Sequence, residues 1–113
     1  HCSMCRKFHG AAFATFGEAS REHFQWVEGE EQLKSYEASN GSIRQFCQQC
    51  GSSMTFAAKG SDGRVVEFSL GTLDSAIEER ADAHIYVASK ANWYSINDAL
   101  PQFEQGRIND KDE

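Results

Sequence analysis

The stretch Arg44-Gln45-Phe46-Cys47-Gln48-Gln49-Cys50-Gly51-Ser52-Ser53-Met54 constrains this chain more than any other. Two thiols separated by two residues and followed at once by glycine have the form of a metal knuckle. The backbone turns tightly enough there to aim both sulfurs at one point, and zinc is the natural occupant. Ile43, Phe46, Met54 and Phe56 supply apolar and aromatic side chains for a strand on each side, and Gly51 can take the positive φ that ends the turn. Only two ligands come from this stretch. The remaining thiols, Cys2 and Cys5, stand at the start of the chain.

A chain of 113 residues is the size of one domain and can hold a modest core without disulfides. Eight phenylalanines and a 40% hydrophobic content argue for a globular chain despite its charge. The net charge of −6 argues against a nonspecific phosphate-backbone binder, so nucleic acid is not an expected partner. No apolar run approaches the ~20 residues that cross a bilayer, and no signal-like segment precedes the first motif. The expected location is therefore cytoplasmic, with no membrane partner. Two C-x-x-C pairs in a reducing compartment favour metal over a disulfide framework.

The first pair lies in His1-Cys2-Ser3-Met4-Cys5-Arg6-Lys7-Phe8-His9-Gly10, and it is followed by two cations instead of glycine. Thiolates beside Arg6 and Lys7 would be stabilised as anions, and an anionic ligand approaching them would meet fixed positive charge. Further on, the pattern predicts a strand over 11–16 with Phe13 and Phe16 buried, a single helical or 3₁₀ turn from Ser20, and a short strand over 24–27. His23 is expected at the surface. Segments 33–38 and 42–47, separated by Ser39-Asn40-Gly41, read as a hairpin leading into the knuckle, and 53–57 leads out of it. Arg64 to Leu70 is rich in β-branched and aromatic residues and reads as a strand. Residues 75–82 read as mostly solvated loop, 84–87 as a strand, and 96–103 as a closing turn around Pro101. The charged tail over 104–113 is expected to fray. Strands at about ten-residue spacing predict a mainly β fold.

Taken alone, the cysteines suggest one four-thiolate clasp, although the 41 residues between Cys5 and Cys47 exceed the roughly 15–20 of common paired knuckles. His84, where an apolar segment begins, reads as a hydrogen-bonded core histidine more readily than as a ligand. His9 is a weaker candidate, and His1 is of interest because it adjoins Cys2.

Four blocks in order carry a more specific pattern. They are His1-Cys2-Ser3-Met4-Cys5-Arg6-Lys7 with His9-Gly10-Ala11, then Arg44 to Ser52, then Leu70-Gly71-Thr72-Leu73-Asp74, then His84-Ile85-Tyr86-Val87 with Lys90, Ala91 and Trp93. Together they resemble the glutathione-dependent formaldehyde-activating enzyme family. The resemblance implies a domain over 1–103 with an Mss4-like β-rich zinc-binding fold and two zinc sites. One would be a structural site using Cys47 and Cys50. The other would be a catalytic site, built in the family from C-x-C-x-x-C, whose second and third cysteines match Cys2 and Cys5.

The cysteine expected just before His1, and an upstream strand pair carrying another C-x-C, are absent from the sequence. The expectation is that an N-terminal part is missing here, or that this is a metal-poor relative. The implied activity is that of a zinc-dependent carbon–sulfur lyase similar to S-(hydroxymethyl)glutathione synthase, which joins a thiol such as glutathione to formaldehyde or a related small aldehyde. A three-thiolate zinc keeps little net positive charge, so its implied role is to hold the thiol as thiolate. Arg6, Lys7 and Lys90 are candidates for binding the anionic thiol, and Trp93 and Tyr94 for walling its pocket. A homodimer is compatible with this reading.

Two other classes remain open. A structural zinc or interaction module would show a closed four-cysteine site, since fold does not fix function. A redox protein using a C-x-x-C disulfide lacks the βαβ context that such a motif normally has.

Overall fold

The computed structural model describes residues 1–107, which form two compact units: residues 15–76, and residues 1–14 together with 77 onward. The last six residues of the expected tail lie outside the described residues.

The 15–76 unit is built on a five-stranded antiparallel sheet, with strands β1 (Phe16–Ser20), β2 (Leu33–Glu37), β3 (Ile43–Cys47), β4 (Ser53–Ala57) and β5 (Val65–Ser69) in the order β1-β5-β4-β3-β2. The expectation of a mainly β chain holds. The β2–β3 hairpin forms where the Ser39-Asn40-Gly41 signal put it. Asn40 Oδ1 accepts from the Ser42 amide at 3.0 Å and from its hydroxyl at 2.7 Å, which fixes the tight turn. On the sheet, Arg44 is 2% exposed and stands opposite both Tyr36 and Phe56, its guanidinium 4.9 Å from the Phe56 ring centroid. A cation held over an aromatic face in a desolvated setting contributes about 1–2 kcal/mol. Val66 and Thr55 are buried on the neighbouring strands.

Three expected strands differ. Only Phe16 of the 11–16 segment is in β1, and both Phe13 and Phe16 are half-buried. Residues 24–27 are not a strand: Phe24 stacks edge-to-face on Trp26 at 5.0 Å and lies 6.0 Å from Phe68, so aromatic packing holds this segment without ladder hydrogen bonds. The 84–87 segment has one parallel bridge, His84 with Gln102, and then leaves extended geometry at Tyr86, which has φ 57°. The 3₁₀ turn from Ser20 appears as Arg21–His23, and His23 is exposed as expected.

In the other unit the expected knuckle at Cys2–Cys5 is the start of a helix, α1 (Ser3–His9), with Cys2 as its N-cap. The helix ends at Gly10, whose amide returns to the Arg6 carbonyl, and Arg6, Lys7 and His9 occupy its last turn, where cations suit the partial negative charge of the helix end. Those three residues and the glycine were the sequence signal for the helix. Residues 84–90 and 101–105 are laced together by backbone bonds: the His84 amide to the Pro101 carbonyl at 2.9 Å, the Phe103 amide to the His84 carbonyl at 2.8 Å, and the Tyr86 amide to the Gln105 carbonyl at 2.9 Å.

Candidate functional site

All four cysteines are thiols. The Cys47–Cys50 knuckle is the turn between β3 and β4. The Cys47 amide donates to the Ser52 carbonyl at 2.9 Å, the Gly51 amide donates to the Cys47 carbonyl at 2.7 Å, and Gly51 takes φ 81°. A left-handed residue is what closes so short a loop, and glycine adopts it without steric cost. Cys47 is half-buried in register with Leu33, whereas Cys50 is exposed with its sulfur 3.1 Å from Ser52 Oγ. The Ser52 hydroxyl and amide, followed by the Cys47 thiol, hold the Cys50 thiol below its ordinary value.

Cys2 and Cys5 are both half-buried at the head of α1. His1, which precedes them, keeps only 7% of its exposure. Its backbone nitrogen donates to the Ile85 carbonyl at 3.1 Å, and its carbonyl accepts from Ser89 Oγ at 3.0 Å. The His1 ring packs against Phe13 at 4.8 Å and His84 at 5.0 Å between centroids, with Tyr94 at 6.2 Å. Its Nε2 lies 2.8 Å from His84 Nδ1. On its far side, His84 Nε2 meets both Asp98 oxygens, at 2.9 and 3.1 Å. Bonding from His84 and from the Leu100 amide holds the Asp98 carboxyl below the usual carboxylate range.

The expectation that His84 is a hydrogen-bonded core residue holds, its side chain being 10% exposed. Sequence reasoning missed Asp98, whose only local mark is its place ahead of Leu100-Pro101, and did not foresee that His1 is buried.

The candidate substrate-binding residues are placed unequally. Arg6 is half-buried, with its Nε enclosed and without a hydrogen-bond partner among the described residues. Lys7 is exposed. The Lys90 ammonium donates to the carbonyls of Ala91, at 3.0 Å, and Tyr94, so its charge is committed to the backbone. Trp93 is 69% exposed, while Tyr94 is half-buried against Phe13 at 5.3 Å. A cavity of about 250 Å³ in the sheet unit is lined by Arg21, Ile43, Phe56, Lys59 and Val65 among others, and no cysteine borders it.

Both C-x-x-C pairs thus sit at the beginning or end of a regular element, on a mainly β chain whose described strands are all antiparallel. That arrangement defines a small β domain carrying two thiol pairs, not a βαβ redox fold. The family model of the glutathione-dependent formaldehyde-activating enzymes matches residues 1–89, and the chain belongs to that family. No curated protein matches it.

Whether these residues suit the zinc implied by the family resemblance can be judged from the donors. Each pair offers two thiols, and the described residues contain no group of three or more His, Cys, Asp or Glu side chains placed to hold a metal ion. As placed, the thiols do not complete a site. No helix among the described residues is long and apolar enough to cross a membrane.

Proposed function

We propose that this protein accelerates the addition of a thiol, glutathione or a close analogue, to formaldehyde or a related small aldehyde, as a carbon–sulfur lyase of the S-(hydroxymethyl)glutathione synthase type. The observation that carries the proposal is the family match over residues 1–89, which spans both thiol pairs and the segment holding His84. In the reaction the thiol sulfur bonds to the carbonyl carbon, the carbon–oxygen π bond opens, and the proton leaves sulfur and arrives on oxygen.

The residues of this chain divide the work as follows. Arg6 has an enclosed Nε–H that lacks a partner among the described residues, and a guanidinium matches the geometry of a carboxylate, so Arg6 binds a glutathione carboxylate. Lys7, exposed beside it, adds attraction at longer range. Cys2 and Cys5 are the reactive pair at the head of α1. Lys90 serves the pocket by holding the 90–94 turn, because its ammonium is already bound to two carbonyls. Trp93, being exposed, is available as a wall for a bound ligand.

Zinc dependence and a cytoplasmic location belong to the same proposal. As placed, the thiols supply two donors per pair, and no third His, Cys, Asp or Glu among the described residues joins either pair. An Mss4-like zinc fold and a structural role for Cys47 and Cys50 are likewise part of it. The test is zinc titration of the purified protein followed by measurement of hydroxymethyl-thiol formation above the spontaneous rate. Acceleration that saturates with thiol supports the enzyme. Stoichiometric zinc uptake with no acceleration overturns it in favour of a structural metal module.

A further inference from the structure

The 250 Å³ cavity of the sheet unit lies at the end of the sheet away from the Cys47–Cys50 knuckle. Ile43, which lines it, begins β3 and Cys47 ends that strand, so the two are about 13 Å apart at the rise of an extended chain. The floor is one face of the sheet. Ile43 is paired with Ala57 on β4, Thr55 is two residues before Ala57, and Val66 on β5 is two residues from Phe68, the partner of Thr55. Strand alternation puts all four on the same side. Val66 and Thr55 are buried, and the one hydroxyl among the four, on Thr55, already donates to Gln45 Oε1 at 2.7 Å. To a ligand this floor is apolar.

The rim carries two cations that neighbouring loops hold in place. The Arg21 amide donates to the Arg64 carbonyl at 2.8 Å and its Nε to the Gly63 carbonyl at 3.2 Å, so the guanidinium is fixed by one edge while its terminal nitrogens have no partner among the described residues. The stem of Lys59 lies so close over Gly41 in the β2–β3 turn that a Cβ there would come 2.7 Å from Lys59 Cδ. Its ammonium makes no hydrogen bond or ion pair among the described residues. The acids near this rim leave both charges unmatched. Asp62 is taken by the Arg64 guanidinium at 3.1 Å and the Arg64 amide at 3.0 Å, and Glu37, in register with Ile43, is bonded to neither cation. On a chain of net charge −6, such a pair at the mouth of an apolar-floored cavity is a local exception. The volume is below the ~300–1,000 Å³ of pockets for drug-sized ligands, which calls for a small occupant. A guanidinium with an ammonium suits a carboxylate, and the floor favours a few methylenes behind it.

We propose that this cavity is a ligand site in its own right, which takes a small monocarboxylate with a short apolar chain, the carboxylate held by Arg21 and Lys59 and the chain lying on Ile43, Ala57 and Val66. No cysteine borders the cavity, so the site stands independently of the proposed addition reaction.

The test is titration of the ¹⁵N-labelled full chain with sodium butyrate at constant ionic strength, followed by ¹H–¹⁵N correlation spectra, with acetate, propionate, 1-butanol and inorganic phosphate as comparison probes. Butyrate should give saturable shifts at the Arg21 side chain and at the amides of the residues that line the cavity, in the β2–β3 turn and the β4–β5 loop. Affinity should rise roughly fourfold with each methylene from acetate to butyrate, and 1-butanol, which lacks the charge, should not saturate. Arg21→Gln and Lys59→Gln should each weaken butyrate about tenfold. Both side chains are exposed, so the spectra of the variants should otherwise overlay that of the parent and show an intact sheet. Butyrate shifts that do not saturate overturn the proposal. Equal affinity for acetate and butyrate, or tighter binding of phosphate, leaves only a charged patch and overturns the ligand class. Butyrate binding that survives both substitutions overturns the placement at Arg21 and Lys59.

Discussion

Each of the two units has its own kind of internal bonding. In the 15–76 unit the bonding is periodic: four antiparallel pairings fix five strands, and one buried cation over Phe56 marks the sheet. In the other unit it is particular. His84 and Ser89 meet the ring and the carbonyl of His1 from more than eighty positions away, Asp98 meets His84, Lys90 bonds the nearby carbonyls of Ala91 and Tyr94, and α1 is the one α-helix among the described residues. In a periodic structure each group is packed and paired with several neighbours, so a substitution there falls on stability. In the other unit single contacts fix the positions of individual groups, so substitutions in it should alter chemistry more than stability.

The largest separation between the units should come from their cysteines. Cys2→Ser or Cys5→Ser should reduce thiol–formaldehyde adduct formation by more than the roughly hundredfold that supporting residues carry, with little change in the denaturation midpoint. Cys47→Ser should do the reverse, lowering the midpoint while the remaining folded protein keeps most of its rate. Measuring both quantities on the same samples checks the contrast, and equal losses of activity from the two pairs would break it.

Next in size are two glycines of the sheet unit. A Cβ at Gly17 would lie 2.8 Å from the Phe68 ring, which is fixed across the strand pair, so Gly17→Ala should cost about 1–3 kcal/mol of unfolding free energy in urea titration. At Gly51 a Cβ meets nothing within 4 Å, but φ is 81°, so Gly51→Ala should cost about 1–2 kcal/mol through backbone strain alone. Gly51→Asn, which tolerates the left-handed region, should recover part of that loss, whereas no residue with a side chain should rescue position 17.

A smaller effect belongs to the single contacts. Asp98 has a lowered folded-state value, chiefly because it is bonded to His84, so its contribution is present above the ordinary carboxylate range and is lost as pH falls through the lowered value. Carboxyl ¹³C shifts of Asp98 should therefore titrate at lower pH than those of an unstructured aspartate. His84→Ala should move the midpoint back up, and an unmoved midpoint would show that the bond does not hold the charge.

What could be read from the sequence follows the same division. Alternation, β-branched content and an Asn-Gly turn report on neighbours in the chain, and β2 to β5 are arranged by such neighbours, so their existence and hairpin order were legible. The 84–87 segment has strand-like composition, yet its polar groups are taken by His1, Pro101, Phe103 and Gln105, and it folds as a clamp. Phe24 to Val27 likewise has the residues of a strand, but packs through its rings. The candidate site was half legible. The thiol pairs announce themselves by spacing, and His84 by its apolar flank. The partnership of His1 with Asp98 through His84 depends on one contact 83 positions apart and another 14 apart, which no local pattern encodes.

The smallest predicted effect sits at the knuckle and sharpens the comparison from the sheet side. Cys50 is exposed, and its thiol is lowered first by the Ser52 hydroxyl, 3.1 Å away, and then by the Ser52 amide and Cys47. Ser52→Ala removes the first of these and keeps the amide. The Cys50 value should rise, so the thiolate fraction at neutral pH falls and alkylation by iodoacetamide slows. Part of that slowing is cancelled because a more basic thiolate is a better nucleophile, which limits the change to a few-fold. Raising the pH until Cys50 is fully ionised in both forms should reverse the order, with the variant reacting slightly faster. A rate that is lower at every pH would mean that Ser52 acts by shaping the turn and not by bonding the sulfur.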